Sequence, residues 1–130
     1  MSEDSAATTA AELLQQLGLR EYEAKCFVGL TQLSSGTAKQ LGEITDVPRT
    51  RVYDAIRVLE AEGLVEVQHS SPKRFRAVPL SEATTTLRRQ YDERIERLAS
   101  ALANVEQVNE EDERIAQEVW ALSSADAVAN

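Results

Sequence analysis

The chain has 130 residues, 22 of them acidic and 14 basic, for a net charge of −8. One cysteine and one histidine exclude an intramolecular disulfide and an ordinary zinc site, and no window approaches the ~18 consecutive apolar residues of a membrane span. The acidity speaks against a nucleic-acid partner, since phosphate binders are usually basic, unless the charge is unevenly spread. A lone thiol fits a reducing compartment. The N-terminal MSEDSAATTA lacks the basic and apolar regions of a signal peptide, so a cytoplasmic location is expected.

In chain order, residues 1–9 read as a disordered tail. Over 10–33, Leu13, Leu14, Leu17, Leu19, Tyr22, Cys26, Phe27, Leu30 and Leu33 recur at helical spacing, with Gly18 dividing a short first helix from a longer second one. Ser34-Ser35-Gly36 is a turn. Thr37 and Gln40 form a T-x-x-Q capping box that opens a short helix with Leu41 and Ile44 as its buried face. After an interruption at Asp46-Val47, Pro48 suits the first position of a helix over 48–62, and Gly63 its C-terminal stop. Alternation then predicts strands at 64–68 and 73–78 joined by a turn at 69–72. Pro79 closes the second strand, Ser81 can cap a new helix, and neither glycine nor proline occurs from there to Asn130. The expected fold is mostly α with a small β-hairpin: a winged helix-turn-helix domain at 10–79, a long helical dimerisation arm at 80–122 and a flexible tail at 123–130.

The helix over 48–62 carries the functional signal. At about 100° per residue, Val52, Ile56 and Leu59 fall on one face and must be core. Thr50, Asp54 and Arg57 then lie opposite, flanked by Arg49 and Tyr53 on one side and Arg51 on the other. Arginine can bond bidentately to guanine, threonine can meet a thymine methyl and tyrosine can reach a phosphate. The bland reading is a solvated face with local ion pairs; in a helix-turn-helix, DNA contact is favoured. Asp54, which repels phosphate, could accept from a cytosine amino group or orient Arg51 or Arg57; the orienting role is preferred. On the hairpin, Phe75 and Ala77 share a face with Val65 and Val67, while Arg76 is expected to pair with Glu66 across the strands. Lys73 and Arg74 are the DNA-facing cations of the wing. Thr37 and Lys39, at the start of the preceding short helix, complete the DNA-binding set.

The run ValProArgThrArgValTyrAspAlaIleArgValLeuGluAlaGluGlyLeuVal (47–65), followed by Pro72, Phe75 and Ala77-Val78, resembles the N-terminal domain of TrmB-type archaeal transcription regulators. Leu17-Gly18-Leu19 and Tyr22-Glu23-Ala24 are similar to that family's opening, so the resemblance spans about residues 13 to 85. It implies that the unit at 37–62 binds operator DNA as a dimer. Many relatives carry a large C-terminal sugar-binding domain, for which this sequence leaves no room; sugar sensing is therefore not expected, and any small-molecule effector stays open. With three lysines against eleven arginines and abundant acid, the composition is also similar to that of salt-in halophilic archaea; compositional drift is the alternative.

In the arm, Tyr91, Ile95, Leu98, Leu102 and Val105 follow heptad spacing, with Asn109 at the next, polar, position. A homodimer would present two recognition helices to a palindromic site. The seam falters at Asp112 and resumes out of phase with Ile115, Val119, Trp120 and Leu122, so the helix either continues or breaks near Asn109. Cys26 lies mid-helix with only Lys25 as a neighbouring cation, a poor setting for a reactive thiolate. Neither a Ser/His/Asp nor a Cys/His set is present, so no enzyme, cofactor or metal is expected.

The favoured function is sequence-specific transcription regulation. The alternatives are a protein–protein module (an antirepressor or assembly factor), supported by the net charge and Asp54, and an architectural DNA binder without sequence preference. Split by region, 1–38 carries −3, 39–79 carries +1 and 80–130 carries −6. The one segment that is not acidic is the one expected to meet DNA.

Overall fold

Residues 2–108 and 114–122 are described by the computed structural model. The elements are α1 (Ser2–Gln16), α2 (Glu21–Gln32), α3 (Ala38–Thr45), α4 (Arg49–Ala61), β1 (Val65–Gln68), β2 (Arg74–Ala77) and α5 (Leu80–Val108), with a further helical stretch at 114–122. The chain divides into two compact units, Met1–Tyr91 and Asp92–Asn130.

The helix-turn-helix is α3 and α4, and local chemistry sets its corners. Thr37 caps α3: its hydroxyl accepts from the Gln40 N–H at 3.2 Å, and the Gln40 carboxamide accepts from the Thr37 N–H at 2.9 Å. Such a reciprocal box satisfies two otherwise orphaned donors and contributes about 0.5–2 kcal/mol. Asp46, left-handed at φ 58°, ends α3. Val47 is buried, and the Pro48 carbonyl accepts the first bonds of α4 from Arg51 and Val52. Proline thus stands at the N-cap, one place before its expected position inside the helix. Gly63, at φ 78°, supplies the left-handed residue that turns the chain out of α4.

The core gathers Phe27 and Leu30 of α2, Leu41 of α3, Val52, Ile56 and Leu59 of α4, Leu64, Val65 and Phe75 of the hairpin, and Ala83 and Leu87 of α5. Gly29 lets α3 come close to α2. A Cβ there would lie 2.8 Å from Thr45 Cγ2 and 2.9 Å from Leu41 Cδ1. Strands β1 and β2 pair antiparallel in the register Val65↔Ala77, Glu66↔Arg76, Val67↔Phe75 and Gln68↔Arg74. The apolar side chains therefore share one face, as the alternation predicts.

Four expectations change. Residues 2–9 are the first turns of α1 rather than a tail: Ala7 and Ala10 pack on the core and Ala11 is buried, so this alanine-rich segment has both propensity and a surface to cover. The first helix, with 15 residues, is longer than the second, with 12. Ile44 is 47% exposed: it stands in the last turn of the eight-residue α3, and Thr45 and Leu41 approach Gly29 more closely than its Cδ1 does. Finally, α5 starts at Leu80, its first bond running from the Ala83 N–H to the Pro79 carbonyl, so Ser81 sits inside the first turn instead of capping it. Asn109, near which the helix is expected either to continue or to break, and the expected flexible tail at 123–130 lie outside the described residues.

Candidate nucleic-acid interface

Helix α4 has two chemically distinct faces. Val52, Ala55, Ile56 and Leu59 point inward, each 4% exposed or less, and fix the rotation of the helix. That rotation leaves Arg49, Thr50, Arg51, Tyr53, Asp54 and Arg57 exposed. All five residues expected on α4 to meet DNA are thus displayed from its first three turns.

Asp54 sits between two of the arginines. Its Oδ2 lies 4.0 Å from Arg51 Nη1 and its Oδ1 lies 3.6 Å from Arg57 Nη1. One carboxylate therefore lies near both the cation a turn before it and the cation a turn after it. Neither distance is that of a hydrogen bond, and all three side chains are well exposed, so these pairs contribute little to stability.

The start of α3 adds Lys39, exposed in its first turn, beside Thr37 at the cap. The hairpin is joined to this same point. Gly36 and Phe75 exchange two backbone hydrogen bonds of 2.8 Å, so the segment read as a plain turn before Thr37 forms a one-residue bridge to β2. Arg74 strengthens the corner: its Nε donates to Ser35 Oγ at 3.0 Å and an Nη to the Ser35 carbonyl at 3.3 Å. Arg74 is half-buried and committed to Ser35, whereas Lys73 is exposed. Arg76 donates to Glu66 Oε2 at 2.8 and 3.1 Å, the expected cross-strand pair. Sequence reasoning missed Ser35 and Gly36, and also Gln90, whose amide donates to the Glu62 carbonyl at the end of α4 at 3.5 Å.

Burial pushes the Cys26 thiol up from 9.0 to about 11, which keeps it protonated and unreactive at neutral pH. Among the described residues no group of three or more His, Cys, Asp or Glu side chains is placed to hold a metal ion. Also among these residues, no helix is long and apolar enough to cross a membrane.

A helix-turn-helix followed by a hairpin bridged back to its entry, with a polar and cationic outer face on the second helix, defines a winged helix-turn-helix protein. More particularly, the chain belongs to the TrmB family: the family model described as sugar-specific transcriptional regulator TrmB matches residues 14–81. It is 30% identical over 88 residues to the HTH-type sugar sensing transcriptional regulator TrmBL1 of Pyrococcus furiosus, an alignment covering 68% of this chain and 26% of the relative. It is 27% identical to the protein YrhO of Bacillus subtilis, over 80% of this chain and 38% of YrhO. The chain thus spans between about a quarter and two-fifths of the length of these curated relatives. Among solved structures it is similar to TrmBL2, described as an archaeal chromatin protein with a novel mode of DNA binding, at a TM-score of 0.68 and 28% identity over 81% of this chain and 41% of that one. A MarR family transcription regulator shares the fold at a TM-score of 0.50 and 18% identity, over 95% of this chain and 85% of the other.

Proposed function

We propose that the chain is a sequence-specific DNA-binding transcription regulator that works as a cytoplasmic homodimer and has no catalytic role. The observation that carries this reading is the outer face of α4, where Arg49, Thr50, Arg51, Tyr53 and Arg57 stand exposed on a helix held by its buried face. In the reading, α4 enters the major groove and these side chains meet base edges and flanking phosphates. Thr37 and Lys39 approach the backbone from the start of α3. Lys73 reaches backbone or minor groove from the wing, with Arg74 chiefly holding the wing in place through Ser35. The seam Tyr91, Ile95, Leu98, Leu102 and Val105, each 43–59% exposed along α5, pairs two copies as a coiled coil, and two α4 helices then address a palindromic operator.

The test is an electrophoretic shift and footprint on genomic fragments. Protection of a discrete palindrome supports the reading, and binding no tighter than to random DNA defeats it. Arg49→Ala and Arg57→Ala are each expected to cost roughly 1–3 kcal/mol and to relax discrimination at one base position. Uniform weakening across sequences would make them phosphate contacts instead. The lysine-poor, acid-rich composition supports work at high salt, with few directional arginine contacts and a shallow salt dependence; complete loss of binding by ~0.2 M salt would remove the halophilic part of the reading.

Architectural DNA binding is the second reading, and the similarity to the chromatin protein TrmBL2 favours it. A genome-wide occupancy map separates the two. Sharp peaks support regulation at operators, and even coverage supports packaging.

A further inference from the structure

Resting on the reading of α4 as the DNA-recognition helix, we propose that Asp54 is a specificity-determining positioning residue: it competes with phosphates for Arg51 and Arg57 and penalises DNA that lacks the bases able to draw them off. The geometry has three parts. Asp54 lies in the middle of the exposed face of α4, among the five side chains assigned to DNA. Its two oxygens are divided between the two arginines, Oδ2 at 4.0 Å from Arg51 and Oδ1 at 3.6 Å from Arg57. Both contacts exceed hydrogen-bond length and are open to water, so each arginine can exchange Asp54 for another acceptor at little cost.

A carboxylate placed there contributes little to folding and repels every phosphate it approaches. Its effect is therefore felt on all DNA alike, and only a site that returns something can offset it. A guanine returns O6 and N7 to a guanidinium already held near the middle of the face, and a cytosine returns its N4 amino donor to Asp54 itself. Random DNA offers its phosphates alone, and to these Asp54 is a competitor. Removing the negative charge should thus help non-cognate DNA more than cognate DNA.

The test uses the full chain and its Asp54→Asn variant, which keeps size and removes charge. The probes are the duplex that the wild-type chain enriches from a randomised library and a scrambled duplex of equal composition. Asp54→Asn is expected to bind the scrambled duplex about three- to tenfold more tightly, to shrink the enriched-to-scrambled affinity ratio about tenfold, and to steepen the log–log salt slope on the scrambled duplex by up to about one unit for each arginine released to a phosphate. Asp54→Glu, which restores the charge, should recover most of the ratio, and all three proteins should unfold at the same urea concentration. An unchanged ratio and slope in Asp54→Asn, or equal weakening on both duplexes, overturns the proposal while leaving DNA recognition by α4 intact. If the wild-type chain enriches no sequence, the reading of α4 falls first and the role of Asp54 with it.

Discussion

The inner face of α4 and the seam of α5 are built from the same kind of side chain at the same helical spacing, yet they meet different environments. Val52, Ile56 and Leu59 are no more than 3% exposed, whereas Tyr91, Ile95, Leu98, Leu102 and Val105 are 43–59% exposed. Between 88 and 106 along α5 no residue is buried. An apolar stripe marks a helix and a face; it does not say whether the covering surface lies within the chain. The inner face of α4 finds its cover in α2, α3 and β1. The seam of α5 stays 43–59% exposed, and a second copy is proposed to pack on it.

Leu59→Ala attacks the covered face. Leu59 is fully buried, and its truncation is expected to lower stability by about 2–5 kcal/mol, read as a shift of the urea midpoint. Leu98→Asp attacks the open face. On the proposed reading, sedimentation should show the wild type as a dimer and the variant as a monomer at the same concentration, while the amides of α3 and α4 keep their hydrogen-exchange protection. If Leu98→Asp strips that protection as Leu59→Ala does, the two faces are not energetically separate and the contrast fails.

A smaller effect is expected from pH, and it belongs to the covered side alone. The Cys26 thiol ionises near 9.0 when exposed and near 11 in the fold, because burial disfavours the thiolate. The folded-state value is the higher one, so the contribution is fully present below pH 9 and is lost as pH rises toward 11, where the unfolded chain has already released its proton. Urea midpoints at successive pH values should fall more steeply for the wild type than for Cys26→Ala across that window. The least effect is expected for Glu66→Gln, which breaks the exposed pair with Arg76: roughly 0.2–1 kcal/mol, fading as salt is added.

What the sequence disclosed follows how local each feature is. The Thr37–Gln40 box, the stop at Gly63 and the placing of Asp54 between two arginines join residues no more than three positions apart and were legible from spacing. The Glu66–Arg76 pair was legible because alternation fixes hairpin register. The bridge from Gly36 to Phe75 was not, since one residue has no periodicity and its partner lies 39 positions away. The Arg74–Ser35 contact was not legible for the same reason: only tertiary packing brings Ser35 to Arg74. Ile44 looked buried by spacing alone, but the last turn of an eight-residue helix has less surface to cover it. At the N-terminus, polar and small residues suggested disorder, and their alanines became helix once a core stood beside them.

The corner where Gly36 and Phe75 exchange hydrogen bonds has a mechanical consequence. Thr37, the next residue, starts α3, so the hairpin and the entry to the helix-turn-helix share one hinge-less joint, clamped from the side by Arg74 on Ser35. The wing is thus tied to the frame at its base, so the first turn of α3 and the β2 backbone are carried by one shared corner.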